Sequence, residues 1–149
     1  MENERRIDRT TSMGMDEHRL SDILLASQIK ATDIYETPPQ IIWIDNSTIA
    51  TLGNFSASTG KAKSKKTFNV SALVAASLAG KQVLNYRAHL PEGKQRILYV
   101  DTEQSRFHCR SVLERILRLD GLPTTTDQEN LDFFCLREYS PSVRVEVIA

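Results

Sequence analysis

The residues whose types and spacing could do chemistry lie in one short segment, Gly60-Lys61-Ala62-Lys63-Ser64-Lys65-Lys66-Thr67. A phosphate group binds where a tight turn points backbone N–H groups inward and where a helix begins, because the helix dipole favours anions there. Lysine side chains add positive charge to such a turn. The segment therefore predicts a phosphate-binding loop.

The spacing of this segment follows the phosphate-loop template G-x-x-x-x-G-K-[ST], with one departure. Gly60, Lys66 and Thr67 stand at the first glycine, the lysine and the hydroxyl positions. In the template the lysine reaches the terminal phosphates and the hydroxyl binds Mg²⁺. Lys65 replaces the second glycine, which normally allows the backbone to approach the phosphate. A lysine there either strains the loop or turns outward as a second cation; the competing interpretation is a solvated basic loop.

Two elements must position this loop, a strand before it and a helix after it. Residues 49–58 are rich in small, β-branched and aromatic side chains, which predicts a strand with a bulge at Gly53-Asn54. Residues 67–79 are almost continuously apolar and precede Gly80, which predicts a buried helix that ends at this glycine.

A second run of interest places carboxylates directly after an apolar strand. Residues 97–100 are all apolar, as expected for a parallel strand covered on both faces, and Asp101 and Glu103 follow. An aspartate can hold Mg²⁺ through water, and a glutamate can orient or deprotonate an attacking water. We predict Glu103 and Lys66 as catalytic residues, with Thr67 and Asp101 as metal ligands. The alternative is that either carboxylate only caps the next helix.

The segments before the loop predict an arm, a linker and a hairpin. Residues 1–20 are polar and charged without periodicity, which predicts a flexible arm. Residues 21–40 predict a short helix and a linker that contains Pro38-Pro39. Residues 41–44 predict a strand and residues 45–47 a turn toward the strand before the loop. Trp43 could lie near a base, but a tryptophan in an aliphatic run is more often part of the core.

The segments after the loop helix predict further α/β structure. Residues 81–95 are mixed, with a turn at residues 91–93. An amphipathic pattern predicts a helix over residues 105–119 that ends at Gly121, and residues 132–136 predict a strand. Ser140-Pro141 has the form of a helix start. Because the chain stops on an apolar residue in that helix, we expect residues 41–149 to be a C-terminally truncated domain.

Composition narrows the class of protein. A chain of 149 residues is one domain, which buries about two-thirds of its unfolded surface. Its 19 acidic residues balance 19 lysines and arginines, which argues against binding nucleic acid over the whole surface but allows a local basic patch. The widely spaced Cys109 and Cys135 predict reduced structural thiols in a cytoplasmic protein. No apolar run approaches the ~18 residues of a membrane span.

The order of these elements resembles the RecA-like P-loop ATPases. It runs from a strand through the 60–67 loop and a buried helix to the Ile-Leu-Tyr-Val-Asp-Thr-Glu segment of residues 97–103, an arginine-bearing helix and a strand. Within that superfamily the amino-acid sequence of residues 60–68 resembles that of the same loop in RepA-type helicases and AAA-family ATPases of bacterial, Bacteroidetes-like mobile elements. The resemblance covers residues 41–149. No later strand carries a Walker B aspartate, unless Asp101 is that residue, and no arginine finger follows.

The resemblance implies both a fold and an activity. The fold would be α/β, with a RecA-like, mostly parallel sheet flanked by helices. Residues 60–67 would form the Walker A loop that binds ATP and Mg²⁺, and Glu103 would activate water. The implied protein is a cytoplasmic ATPase, forming a homo-oligomer that acts on DNA in replication or mobilisation, with no membrane partner.

Two other functions compete with an ATPase. A non-catalytic module could bind nucleic acid or other anions through its loop lysines, in which case affinity would fall steeply with salt and ATP would not compete. A small phosphotransferase would also use a phosphate loop, but the chain shows no lid with arginines beyond it.

Overall fold

Two units make up the chain, with their boundary between Thr37 and Pro38. The computed structural model describes residues 8–61 and 63–149.

The first unit contains one long helix, α1, which spans Asp8–Ser27. It covers much of the segment predicted as a flexible arm, so the helix begins well before the expected start at Ser21. The Ser21 hydroxyl lies inside the helix and donates to the His18 carbonyl at 2.9 Å. Residues 1–7 of the predicted arm lie outside the described residues. A turn follows α1, in which the Asp33 carboxylate accepts from the backbone N–H of Lys30 at 2.8 Å.

The second unit begins with an antiparallel sheet. Its strands are β1 (Gln40–Ile44), β2 (Ser47–Thr51), β3 (Gln82–Val83) and β4 (Tyr86–Ala88), in the spatial order β2-β1-β4-β3. The predicted hairpin of β1 and β2 is confirmed, and Asp45 in its turn has a positive φ of 50°. Strands β3 and β4 fall in the segment for which the sequence predicted no regular element.

A parallel pair of strands forms a second, smaller sheet. Strand β5 spans Ile97–Asp101 and β6 spans Leu131–Cys135, in unbroken register from Ile97 opposite Leu131 to Asp101 opposite Cys135. On one face the rings of Tyr99 and Phe133 stack with centroids 4.3 Å apart. On the other face Leu98 is 51% exposed and Phe134 43% exposed. The expectation that this strand is covered on both faces is therefore wrong.

Three helices complete the second unit: α2 (Lys66–Ala79), α3 (Arg106–Asp120) and α4 (Pro141–Ile148). Gly80 ends α2 and Gly121 ends α3, both with positive φ, as their sequences predicted. Ser140 caps α4 and is followed by its first-turn proline. The buried residues of α2 are small, which lets the helix approach its neighbours closely. The core unites α2, α3 and the antiparallel sheet through buried Ile42, Ala72, Val74, Ala75, Ala76, Val83, Tyr86, Ala88, Val112 and Ile116.

The predicted RecA-like, mostly parallel sheet is wrong. In the described part of the chain only β5 and β6 pair in parallel, and the four other strands are antiparallel. Local turn chemistry explains part of the difference, because the strand predicted over residues 49–58 ends at Thr51. Gly53 takes a φ of 82°, and Asn54 donates its side-chain amide to the Thr51 hydroxyl at 2.6 Å. These residues form a turn where the sequence suggested a bulge.

Candidate phosphate-binding loop

The candidate loop, residues 60–67, is held closed by its own lysine. The Lys66 ammonium donates to the carbonyl oxygens of Gly60 at 2.5 Å and Lys61 at 3.1 Å. A turn inside the loop adds a bond from the Ser64 N–H to the Lys61 carbonyl at 3.2 Å. The first residues of the loop therefore fold back over the start of α2, so Lys66 lies against the backbone of the turn that precedes it. Ala62 lies outside the described residues.

The backbone of the loop takes conformations that normally favour glycine. Lys63 has a φ of 64° and Lys65 a φ of 61°. A side chain at such an angle costs about 1–2 kcal/mol relative to the right-handed region. Lys65 thus takes a backbone shape that glycine adopts freely, at the position where the template has glycine, and its side chain is exposed. The sequence predicted either a strained backbone or an outward side chain for Lys65, and the structure shows both.

Close approach also explains Gly60. A Cβ built there would lie 2.7 Å from the Ser64 hydroxyl oxygen and 3.7 Å from the Cδ atom of Lys66. The hydroxyl would have to rotate away before any larger residue could fit. Gly60 thus lies directly against the Ser64 side chain, which is where the chain turns back.

The start of α2 has the electrostatics of an anion site. Lys65 is the N-cap residue and makes no side-chain capping bond, and the first turn contains no acidic residue. The first backbone N–H groups of a helix have no partner within the helix, and its dipole adds about half a positive charge there. The exposed lysines at 61, 63 and 65 add to that potential. The loop therefore offers uncapped donors and cations together, which suits a phosphate.

Thr67 lies in the first turn of α2, as the template requires. Its side chain is exposed, and its backbone carbonyl accepts from the Ser71 hydroxyl at 2.7 Å. Its own hydroxyl is not engaged in any hydrogen bond within the described part of the chain. A metal ion beside bound phosphates could therefore use it.

Asp101 has a clear structural role at the end of β5. One carboxylate oxygen accepts from the backbone N–H groups of Glu103 at 2.9 Å and Gln104 at 2.7 Å. The other accepts from the side-chain amide of Gln104 at 2.8 Å, and the residue is buried. The alternative weighed from the sequence was a cap on the next helix; Asp101 instead caps the turn before α3, and the N-cap of that helix is Ser105. Metal binding by Asp101 stays a prediction, and a metal would have to share oxygens that already accept three hydrogen bonds.

Glu103 lies in the short turn between β5 and α3, with an exposed side chain. Its carboxylate makes no hydrogen bond or ion pair within the described residues, so it is available to a ligand or water. No hydrogen bond or ion pair in that part of the chain joins the carboxylate turn to the lysine loop. Ser105, not Glu103, caps α3, because its hydroxyl accepts from the His108 N–H. The catalytic assignment of Glu103 therefore remains a prediction.

Trp43 packs on the sheet rather than in the central core. Its indole N–H donates to the Gln40 side-chain oxygen at 3.1 Å, and the Arg87 guanidinium lies 4.7 Å from the ring centroid. Arg87 comes from β4, which the sequence did not predict, so this cation–π contact could not be foreseen. These contacts account for the position of the partly exposed Trp43 ring, so no stacked nucleotide base is needed to explain it.

A cavity of about 150 Å³ lies beside α3, away from the loop, and is lined by Arg110, Leu113 and Phe133 among others. Its cation is already engaged: Arg110 donates to the Thr124 carbonyl at 2.6 Å and to Glu114 at 3.2 Å. Nothing in this cavity competes with the lysine loop as an anion site.

Comparison with known proteins identifies no relative: no family model, no curated protein and no solved structure matches the chain. The resemblance to P-loop ATPases therefore stays a hypothesis that depends on the residues themselves. Among the side chains that the structure describes, those of residues 18–61 and 63–149, no three histidine, cysteine, aspartate or glutamate residues gather as a metal site. In the same part of the chain, every helix is too short or too polar to cross a membrane.

Proposed function

We propose that the 60–67 loop binds the phosphates of a nucleotide, with ATP as the expected ligand. The observation that carries this proposal is the closed loop at an uncapped helix start, where Lys66 bridges two backbone carbonyls and Lys65 takes the backbone shape of the template glycine. The exposed lysines at 61, 63 and 65 and the start of α2 are contiguous in the chain. The proposal concerns this loop and does not need the RecA-like sheet.

Lys66, the start of α2 and Thr67 would each contribute a different interaction to nucleotide binding. The Lys66 ammonium would exchange neutral carbonyl oxygens for anionic phosphate oxygens, and such charge-assisted bonds are roughly twice as strong as neutral ones. The N–H groups of the first turn of α2 would donate to the same phosphates. The Thr67 hydroxyl would hold Mg²⁺, which supplies charge neutralisation on the phosphate oxygens.

Hydrolysis is the second part of the proposal. Glu103 has an exposed and unpaired carboxylate in the described structure, so it could orient or deprotonate a water molecule. Its backbone N–H is fixed by Asp101, which holds the turn in place. The wider setting, a cytoplasmic homo-oligomer acting on DNA in replication or mobilisation, is supported by the sequence resemblance alone.

The direct test is calorimetric titration of Mg-ATP into the full chain. We expect binding by the wild type and at least a tenfold loss of affinity in Lys66→Ala, which corresponds to about 1.4 kcal/mol. Lys94→Ala is the matched control, because it removes an equal charge from an exposed turn and should bind as the wild type does. Equal affinity in the Lys66 and Lys94 variants would refute the proposal.

Turnover requires a separate measurement. Glu103→Gln should bind Mg-ATP with unchanged affinity but release phosphate at least 100-fold more slowly, the range for loss of a general base. Phosphate release at the wild-type rate would remove Glu103 from the mechanism while leaving nucleotide binding intact.

A non-catalytic anion-binding module is the second candidate, favoured by the exposure of the lysines at 61, 63 and 65. Four loop lysines on a single strand would give a log–log salt slope of about −3. A filter-binding titration with a single-stranded oligonucleotide, with and without Mg-ATP, separates the two functions. Competition by Mg-ATP favours the nucleotide site, whereas steep salt dependence without competition favours the module.

A further inference from the structure

The two cysteines of the chain come together although they are distant in sequence. Cys109 lies in the first turn of α3 and is buried, whereas Cys135 ends β6 and is partly exposed. Both thiols point at one acceptor, the Gln104 carbonyl oxygen, which lies 3.8 Å from the Cys109 sulfur and 3.4 Å from the Cys135 sulfur. Both sulfurs therefore lie within hydrogen-bonding reach of the same oxygen.

The backbone holds both sulfurs in this arrangement. Cys135 is the register partner of Asp101 in the parallel sheet, and the Leu136 N–H donates to the Asp101 carbonyl at 2.7 Å. The Cys109 N–H donates to the Ser105 carbonyl at 2.9 Å, which fixes the start of α3. The thiols are therefore positioned by a strand end and a helix start.

The thiol environment agrees with direct contact. Burial, followed by a hydrogen bond with the Cys135 thiol and the charge of Asp101, raises the pKa of Cys109 to about 12. Cys109 is thus protonated at neutral pH. The more exposed Cys135 is the thiol that an oxidant meets first.

We propose that Cys109 and Cys135 form a modification site, at which a peroxide converts the two thiols into an intramolecular disulfide. The Cys135 sulfur attacks one peroxide oxygen, the O–O bond breaks, and Cys135 sulfenic acid and water form. The Cys109 sulfur then attacks the sulfenic sulfur, an S–S bond forms, and the hydroxyl group leaves with the Cys109 proton as a second water. Two thiols are oxidised, and the peroxide is reduced to two waters.

The disulfide would change the turn that carries Glu103. Oxidation removes both S–H donors, so the Gln104 carbonyl loses the two hydrogen bonds it accepts from them. The Gln104 side chain also donates to Asp101, the residue that caps this turn. Reduction would restore these bonds. The proposal stands independently of nucleotide binding, because neither thiol belongs to the lysine loop.

The test treats the reduced 149-residue chain with hydrogen peroxide and measures intact mass without reductant. We expect a mass loss of about 2 Da, the disappearance of both titratable thiols, and reversal by dithiothreitol. Tryptic mapping should recover the peptides of Cys109 and Cys135 joined. Because the bond closes a loop, the thermal midpoint should rise by on the order of 10 °C.

Two variants serve as controls. Cys109→Ser should stop at a sulfenic acid on Cys135 that dimedone traps, and Cys135→Ser should resist peroxide. Mapping of the wild-type product keeps the test decisive even if a variant folds poorly. Addition of oxygen to either sulfur without the joined peptides, or disulfides only between two chains, would overturn the proposal.

Discussion

Replacing Lys65 by glycine should stabilise the protein, although most substitutions destabilise. Lys65 has φ 61° and ψ 21°, in the left-handed region, and its side chain is exposed and makes no capping bond. The substitution therefore removes backbone strain without removing packing. It also restores the glycine of the phosphate-loop template.

The magnitude follows from two opposing terms. The left-handed conformation costs a lysine about 1–2 kcal/mol, which glycine does not incur. Glycine has more freedom in the unfolded chain, which costs about 0.5–1 kcal/mol. The net gain in the free energy of unfolding for Lys65→Gly is therefore roughly 0.5–1 kcal/mol.

The neighbouring lysine supplies a matched control with the opposite sign. Lys66 is the first residue of α2, and its ammonium holds the loop closed through Gly60 and Lys61. Lys66→Gly should lower the free energy of unfolding by about 1 kcal/mol, because it removes these bonds and places glycine in a helix. The two variants differ by one position and lose the same side chain.

Urea denaturation measures both variants, followed by far-UV circular dichroism and by fluorescence of Trp43, the single tryptophan. Coincident transitions from the two probes would support a two-state treatment. If Lys65→Gly destabilises the protein as much as Lys66→Gly does, the loop does not hold Lys65 in the left-handed conformation, and the likeness to a phosphate loop fails.

Two further predictions concern the carboxylates. Asp101→Ala should lower the free energy of unfolding, measured in urea, by about 3 kcal/mol, because it leaves two backbone N–H groups and one side-chain amide without their acceptor. Asp101→Asn keeps an acceptor oxygen and should lower the free energy of unfolding by about 1 kcal/mol. Equal effects of the two would contradict the capping role. Arg96 pairs with Asp132 at the surface, and this hydrogen bond lowers the pKa of Asp132. The pair therefore contributes to the free energy of unfolding above the ordinary carboxyl pKa of about 4. This contribution is lost as the pH falls through the lowered pKa. The stability gap between wild type and Asp132→Asn should therefore close below that pH, and a constant gap down to pH 2 would show that the ion pair contributes nothing.

Local patterns were sufficient for several elements. The apolar run before Gly80 predicted α2, the amphipathic spacing before Gly121 predicted α3, and Ser140-Pro141 predicted the start of α4. These predictions succeed because helix periodicity and capping depend on residues within a few positions of one another. The hairpin of β1 and β2 is also local, since a short turn joins its strands.

Strand pairing could not be predicted in the same way. Short segments such as β3 and β4 carry little pattern of their own and form because β1 offers an edge to β4. An apolar run such as residues 97–100 predicts a strand, but its exposed Leu98 depends on which elements pack over it. These are properties of neighbours distant in sequence.

The features of the candidate site also separate into those set by local sequence and those set by distant contacts. The sequence by itself determined a cationic loop at the start of a buried helix, because residues 60–67 are contiguous and their backbone conformation is set locally. Only the tertiary structure decided how the rest of the second unit is arranged, namely the pairing of the antiparallel sheet and the meeting of Cys109 with Cys135. Each of these depends on contacts between residues far apart in the chain, which form only when the whole core closes.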